Sequence, residues 1–100
     1  MTCHALKTDP DVFRATLATF KPWEIRYNDR GFKPGDTVRL LETRYCSEAM
    51  EKGMPLEYTG VEIEGLIEYV LEGPVYGLKD GWCIFTVAVD QVIGEDSANE

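Results

Sequence analysis

The chain has 100 residues, which is enough for one domain with a single hydrophobic core. Its net charge of −8 at pH 7 argues against tight, non-specific binding of duplex nucleic acid, because such binding needs an extended basic face. No apolar run approaches the roughly 20 residues that span a membrane, and residues 1–9 lack the features of a signal peptide, so we expect a cytoplasmic protein without a membrane partner.

The three cysteines are expected to be free, reduced thiols. Cys3, Cys46 and Cys83 are far apart and form no C-x-x-C pair, and Cys83 lies in an apolar run typical of a core position. The single histidine, His4, directly follows Cys3, which is poor spacing for a shared metal. We therefore expect three reduced thiols, no metal site and no cofactor.

The charges are unevenly distributed. Residues 1–40 carry seven Lys and Arg against five Asp and Glu, a net +2, whereas residues 41–100 carry three against thirteen, a net −10. The acidic total therefore leaves room for a local anion-binding pocket in the first part, and it makes the second part a candidate surface for a basic partner.

In chain order, a short strand comes first and a helix follows over about residues 10–20. Asp9 is a suitable N-cap, Pro10 suits the first helical position, and apolar residues then recur at helical spacing. Pro22 ends this predicted helix.

The string WEIRYND alternates between apolar and polar residues, which predicts a half-buried strand. Trp23, Ile25 and Tyr27 share one face, which we expect to point into the core. Glu24, Arg26 and Asn28 share the other face.

The remaining elements are strands separated by turn-rich loops. They are strands at TVRLLETRY and WCIFTVAVDQVI, a loop over 46–57 with room for one helical turn, and a long strand within YTGVEIEGLIEYVLEG that carries a bulge at Gly65. We predict one α+β domain over residues 1–92 and a polar, disordered tail over 93–100. With so few strands, a closed or nearly closed barrel best protects the sheet edges.

Cations, carboxylates and aromatic rings are mixed in residues 20–36, FKPWEIRYNDRGFKPGD. If Glu24 and Arg26 share a strand face, Lys21 can reach the same cleft from just before that strand. Arginine can hold a phosphate with two donors, and an exposed ring can stack on a base. The candidate binding residues are Lys21, Glu24, Arg26, Asn28, Asp29, Arg30 and Tyr76, with Trp23 or Tyr27 as alternative stacking rings.

Each candidate also has a purely structural interpretation. Glu24 and Arg26 could form an exposed ion pair worth about 0–1 kcal/mol. Asp29 and Asp36 suit turns, Arg30 and Lys33 suit a solvated loop, and Tyr76 could anchor a loop. His4 is either a polar residue at a strand start or a member of the cleft.

The residues of this segment also carry a family resemblance. The spacing of Lys21 and Arg26, the strings EIRYNDR and FKPGD, and YGL before the last strand resemble the ASCH-type branch of the PUA-like superfamily. The resemblance covers roughly residues 3–89, and within that branch it is to small phage and bacterial proteins of unknown function. It implies a small β-barrel of about five or six strands with one or two short helices, and a cleft for RNA or a modified nucleoside.

Some ASCH proteins hydrolyse an acylated exocyclic amine of cytidine. This chain resembles those enzymes at Lys21, but Glu24 stands where they carry the threonine nucleophile, and Thr19 stands where a glycine is usual. The covalent mechanism of those enzymes therefore does not transfer directly.

Three functions remain open at this point. The first is an RNA- or nucleotide-binding module that uses the cleft around Lys21, Glu24 and Arg26. The second is an amidohydrolase acting on a modified cytidine-type nucleoside, with Lys21 and Glu24 as catalytic acid and base. The third is an acidic, phage-type protein-interaction factor that uses the carboxylates of residues 57–72.

Overall fold

The computed structural model describes residues 2–94, which form five strands and two short helices. In chain order the elements are β1 (Cys3–Thr8), α1 (Pro10–Leu17), β2 (Trp23–Tyr27), β3 (Thr37–Thr43), α2 (Ser47–Glu51), β4 (Tyr58–Glu72) and β5 (Trp82–Ile93). The predicted α+β class, with five strands and two short helices, is confirmed. No helix in this part of the chain is long and apolar enough to cross a membrane.

All five strands belong to one sheet in the order β1-β3-β4-β5-β2. β1 runs parallel to β3, and the other neighbours are antiparallel. The sheet curls into a half-barrel, so that β1 and β2 are its two edges. This arrangement matters for function because both segments that flank the predicted site, the end of β1 and the whole of β2, lie at those edges.

The concave side of the sheet holds the hydrophobic core. The fully buried side chains come from both helical and strand segments; they include Phe13 of α1, Leu40 of β3, Ile63 and Ile67 of β4, and Phe85 of β5. Cys83 lies in the same core, as predicted, and burial raises the pKa of its thiol. Cys3 and Cys46 are exposed free thiols.

The long fourth strand has the predicted irregularity at Gly65. The register with β5 shifts between Glu64 and Gly65, and shifts again between Ile67 and Tyr69. A Cβ atom at position 65 would lie 2.7 Å from the carbonyl oxygen of Ala88 and 2.5 Å from Cγ1 of Val87, so the backbone of β5 lies too close to Gly65 for a side chain there. Ile93 still pairs with Glu62 at the end of β5, and residues 95–100 of the predicted tail lie outside the described residues.

Helix α1 starts as predicted and ends earlier than predicted. Asp9 occupies the N-cap and Pro10 follows it, but the Asp9 carboxylate makes no cap hydrogen bond to its own helix. At the other end, Thr19 N–H donates to Thr16 O at 3.0 Å and Phe20 N–H donates to Ala15 O at 2.9 Å. These are the two bonds of a Schellman motif, which stops the helix before Pro22 can.

The residue that makes this motif possible is Thr19, whose φ of 65° lies in the left-handed region. A β-branched residue is strained there, and glycine is the usual occupant. The ASCH resemblance led us to expect glycine at this position, and the positive φ gives the physical reason, because glycine adopts it without steric cost.

The substitution Thr19→Gly is expected to raise the free energy of unfolding by about 1 kcal/mol, because glycine adopts positive φ without steric cost. Urea denaturation of the full chain measures this. Thr19→Ala is the control, since it keeps a Cβ atom and should recover clearly less. Destabilisation by Thr19→Gly would contradict the left-handed geometry.

Candidate functional site

The predicted strand β2 forms, but its two faces are the reverse of the expectation. Glu24 is 3% exposed, whereas Trp23 and Ile25 are 41% and 47% exposed. The prediction that Trp23 and Ile25 face the core was therefore wrong. Alternation identifies the two faces of a strand without saying which is buried, and here the charged face meets hydrogen-bonding partners inside the half-barrel.

Glu24 is held between two cations. Lys21 Nζ donates to Glu24 Oε2 at 2.7 Å, and Arg26 donates to Glu24 Oε1 through Nη2 at 2.8 Å and Nε at 3.1 Å. The interpretation of Glu24 and Arg26 as an exposed, weak ion pair does not fit, because the Glu24 side chain is 4% exposed. Burial makes the pairing obligatory, since an unpaired carboxylate there would be costly.

The ammonium group of Lys21 is fully engaged with the protein. Besides Glu24 it donates to Trp23 O at 2.6 Å and makes a longer contact of 3.5 Å with Thr16 Oγ1. It also lies 5.0 Å from the centre of the Trp23 ring. An ammonium has three N–H groups, so Lys21 acts here as a positioning group and has no donor to spare for a ligand.

Arg26 connects the two edges of the half-barrel. Its Nη2 donates to Lys7 O at 3.0 Å and contacts Thr8 Oγ1 at 3.3 Å, so a β2 side chain satisfies the end of β1. Within residues 2–94, Nη1 of Arg26 has no hydrogen-bond partner, and Arg26 lines the cleft described below. Arg26 therefore has a structural side and a free side.

The other predicted binding residues lie in different places. Arg30 follows β2 and donates from Nη1 to Ala5 O at 2.7 Å, a second bridge to β1. Asn28 accepts a hydrogen bond from Phe32 N–H and thereby holds its own loop. Asp29 is exposed, 4.0 Å from Arg30. Tyr76, with φ of 49° and 92% exposure, lies in the β4–β5 loop and does not line the cleft.

His4 and Lys7 lie on opposite faces of β1. His4 is on the buried face and does not line the cleft. Its Nε2 lies 2.9 Å from Asp36 Oδ2, and its ring packs edge-on against Phe32. The hydrogen bond with His4, together with those from the Thr2 and Lys33 amides, lowers the pKa of Asp36. Asp36 is thus a buried anchor at the start of β3 as well as the turn residue expected from the sequence.

The cleft lies between β1, the two helices and β2, and it consists of two adjoining lobes. The aromatic lobe, about 310 Å³, is lined by Glu24, Ile25, Tyr27 and Trp82 among others. The basic lobe, about 430 Å³, is lined by Arg30 and by α2. Both lobes share Lys7, Asp9, Arg26 and Ser47.

Sequence reasoning missed several of these lining residues. Lys7 lies on a short strand and lines both lobes, and Trp82 of β5, the antiparallel partner of Tyr27, lines the aromatic lobe. Asp9 accepts hydrogen bonds from Ser47 N–H at 3.1 Å and Ser47 Oγ at 2.8 Å, which fixes α2 beside the cleft. Trp82 could have been identified only as the cross-strand partner of Tyr27. That pairing follows from the order of the strands in the sheet, which no local sequence pattern shows.

A separate groove of about 480 Å³ lies at the Gly65 bulge. Its cation, Arg39, is already in a bidentate ion pair with Glu62, at 2.8 and 3.1 Å. This pair raises the pKa of Arg39 and lowers the pKa of Glu62. We place the candidate site in the two-lobed cleft, which offers an arginine with an unpaired donor beside aromatic rings.

The convex side of β4, β5 and β2 forms an aromatic outer face. Residues paired across antiparallel strands share a face, and here the rows are Trp23–Thr86–Tyr69, Ile25–Ile84–Leu71 and Tyr27–Trp82. The last two rows also border the aromatic lobe of the cleft, through Ile25, Tyr27 and Trp82. Tyr69 is 63% and Tyr27 56% exposed, and no described element covers them.

The described residues contain no group of three or more His, Cys, Asp or Glu side chains arranged for a metal ion.

We predict strong energetic coupling within the buried cluster. In a double-mutant cycle of Lys21→Met and Glu24→Gln, the interaction energy should be about 1–3 kcal/mol, because each single change removes a charged partner from a group held largely away from water. The matched control is Arg44→Met with Glu57→Gln, whose side chains are 56% and 49% exposed. That pair should couple by less than about 0.5 kcal/mol. Equal coupling in the two pairs would contradict the burial of Glu24.

Comparison with known proteins adds a family and no function. No curated protein matches the chain significantly. A family model described as "Domain of unknown function (DUF3850)" matches residues 3–87, which include every strand except the end of β5, both helices and the whole cleft. The chain therefore belongs to the DUF3850 family.

Proposed function

We propose that the chain is a PUA-like module that binds RNA or a nucleotide in the two-lobed cleft. The observation that carries the proposal is the free Nη1 edge of Arg26, which lines both lobes together with Lys7. Arginine and lysine donors suit phosphate oxygens, and Arg26 is held in place by its bonds to Glu24 and β1.

The aromatic lobe supplies the second requirement, a surface for a base. Tyr27 and Trp82 line it, with their ring centres 6.0 Å apart in an edge-on arrangement. Stacking of a base on such a ring is worth about 1–3 kcal/mol and does not require a large basic surface. A local site of this kind is compatible with a net charge of −8, which opposes non-specific duplex binding.

Glu24 can take part in base recognition through one remaining position. Oε1 accepts two bonds from Arg26, while Oε2 accepts one from Lys21 and retains a lone pair. An exocyclic amino group could donate to it. The ASCH resemblance agrees with this use of the cleft, and the small half-barrel is compatible with a PUA-like fold.

The amidohydrolase hypothesis stays a prediction. It requires Lys21 and Glu24 to move protons to and from a substrate, and Lys21 already directs its N–H groups to Glu24, Trp23 O and Thr16. The geometry therefore supports positioning by Lys21 more than catalysis by it.

A thermal-shift screen with nucleosides, nucleotides and short single-stranded RNAs tests the binding function, because a ligand of the folded state raises Tm. Lys7→Gln should weaken the affinity about 5- to 10-fold through the loss of one charge-assisted contact. Lys7 has no side-chain partner within residues 2–94, so this change spares the fold better than Arg26→Ala. Lys33→Gln, at an exposed side chain outside both lobes, is the matched control. The absence of any shift, or equal effects of both variants, would count against the proposal.

The aromatic outer face favours a second candidate, a protein-interaction factor. Exposed aromatic patches of this kind mark partner sites. Glu68 precedes Tyr69 in β4 and forms no ion pair among the described residues, which favours a basic partner over a second copy of this acidic chain.

Tyr69→Ser removes apolar surface from this face without touching either lobe of the cleft. If the protein-interaction function holds, it should abolish retention of a purified basic partner that binds the wild-type chain, while Tyr76→Ser has no effect. Retention that depends on Lys7 and not on Tyr69 would instead assign the interaction to the cleft.

A further inference from the structure

We propose that the basic lobe is a phosphate subsite formed by Lys7, Arg26 and Arg30, so that the ligand is a nucleotide or a single-stranded phosphodiester and not a free nucleoside. This inference rests on the proposed nucleotide-binding function. It adds the chemical class of the ligand and a division of labour between the two lobes.

The donors of the three cations support the assignment. Arg26 has both N–H groups of Nη1 free, and the Lys7 ammonium has no hydrogen-bond partner within residues 2–94. Arg30 uses Nη1 for Ala5 O, and its Nε lies at the long distance of 4.0 Å from Asp29, so its Nη2 group remains available. Three cations with unused donors therefore line one lobe of an acidic protein.

The same cations are also placed firmly enough to select a ligand. Arg26 and Arg30 donate to two carbonyl groups on the same edge of β1, to Lys7 O at 3.0 Å and to Ala5 O at 2.7 Å. Their head groups are thus fixed relative to the same strand that carries Lys7. Preorganised donors lose little freedom on binding, which favours a compact anion such as phosphate.

Two carboxylates, Asp9 and Glu51, also line this lobe and would repel a bound phosphate. They give the phosphate subsite a second test that is independent of the cations. Asp9 has Oδ1 engaged by both donors of Ser47, so part of its charge is compensated. Glu51, at the end of α2, is exposed and has no ion-pair partner among residues 2–94. Glu51 should therefore weaken binding of a phosphate and have little effect on a nucleoside in the other lobe.

The aromatic lobe differs from the basic lobe in the required way. It lacks Arg30 and Glu51 and contains Tyr27, Trp82 and the free acceptor position of Glu24. Because Lys7 and Arg26 line both lobes, a base in the aromatic lobe and its phosphate in the basic lobe would be adjacent. This matches the covalent arrangement of a nucleotide.

Isothermal titration of the full chain with the four ribonucleosides, their 5′-monophosphates and inorganic phosphate tests the subsite. The preferred monophosphate should bind at least about tenfold more tightly than its nucleoside, which corresponds to one charge-assisted contact. Arg30→Gln should remove that advantage, measured as the ratio of the two affinities in the same variant, because loss of its bond to Ala5 O would affect both ligands alike. Glu51→Gln should increase it, and this variant removes no contact that supports the fold.

The outcomes separate the two proposals. Equal affinity for nucleoside and monophosphate, with no effect of Glu51→Gln, would overturn the phosphate subsite and leave the nucleotide-site location intact. Binding of inorganic phosphate that depends on Arg30 and Glu51, without any nucleoside binding, would support the subsite and overturn base recognition. Failure of all the probes to bind would overturn both.

Discussion

The architecture of the site depends on one buried carboxylate with two cations. Glu24 faces the interior of the half-barrel, and both its oxygens accept hydrogen bonds, from Lys21 on one side and Arg26 on the other. Because a buried carboxylate must be paired, its position dictates the positions of both cations. It also reverses the faces of β2, which leaves Trp23 and Ile25 on the outside.

Side chains of this region link the two edges of the sheet, which are not joined by strand pairing. β1 and β2 are the edges of the sheet, and in this region Arg26 and Arg30 bridge them by donating to carbonyl groups of β1. Side-chain bonds of this kind protect exposed strand edges. They also leave a cleft between the two edges. The arginine side chains that link the edges of the half-barrel are therefore the same ones that line the candidate site.

The sequence predicted most elements and the location of the charged segment, because these depend on local patterns. Pro10, the alternation of β2 and the bulge at Gly65 are all visible in a few neighbouring residues. The buried side of β2 was not predictable from local pattern, since it depends on the non-sequential pairing that places Glu24 opposite Phe85 and Arg26 opposite Cys83, both core residues of β5. Trp82 was missed as well, because it reaches the cleft only through the non-sequential pairing of β2 with β5.

The central claim is that the paired Glu24 positions Arg26 and its neighbours to receive a nucleotide between the sheet edges. Titration of a nucleotide into the ¹⁵N-labelled chain, followed through the backbone amide signals, tests this most directly. The account predicts that the largest shifts fall on residues 7–9, 21–27, 30 and 47, which surround the two lobes. Shifts confined to the Gly65 groove or to the outer surface of β4 would contradict it.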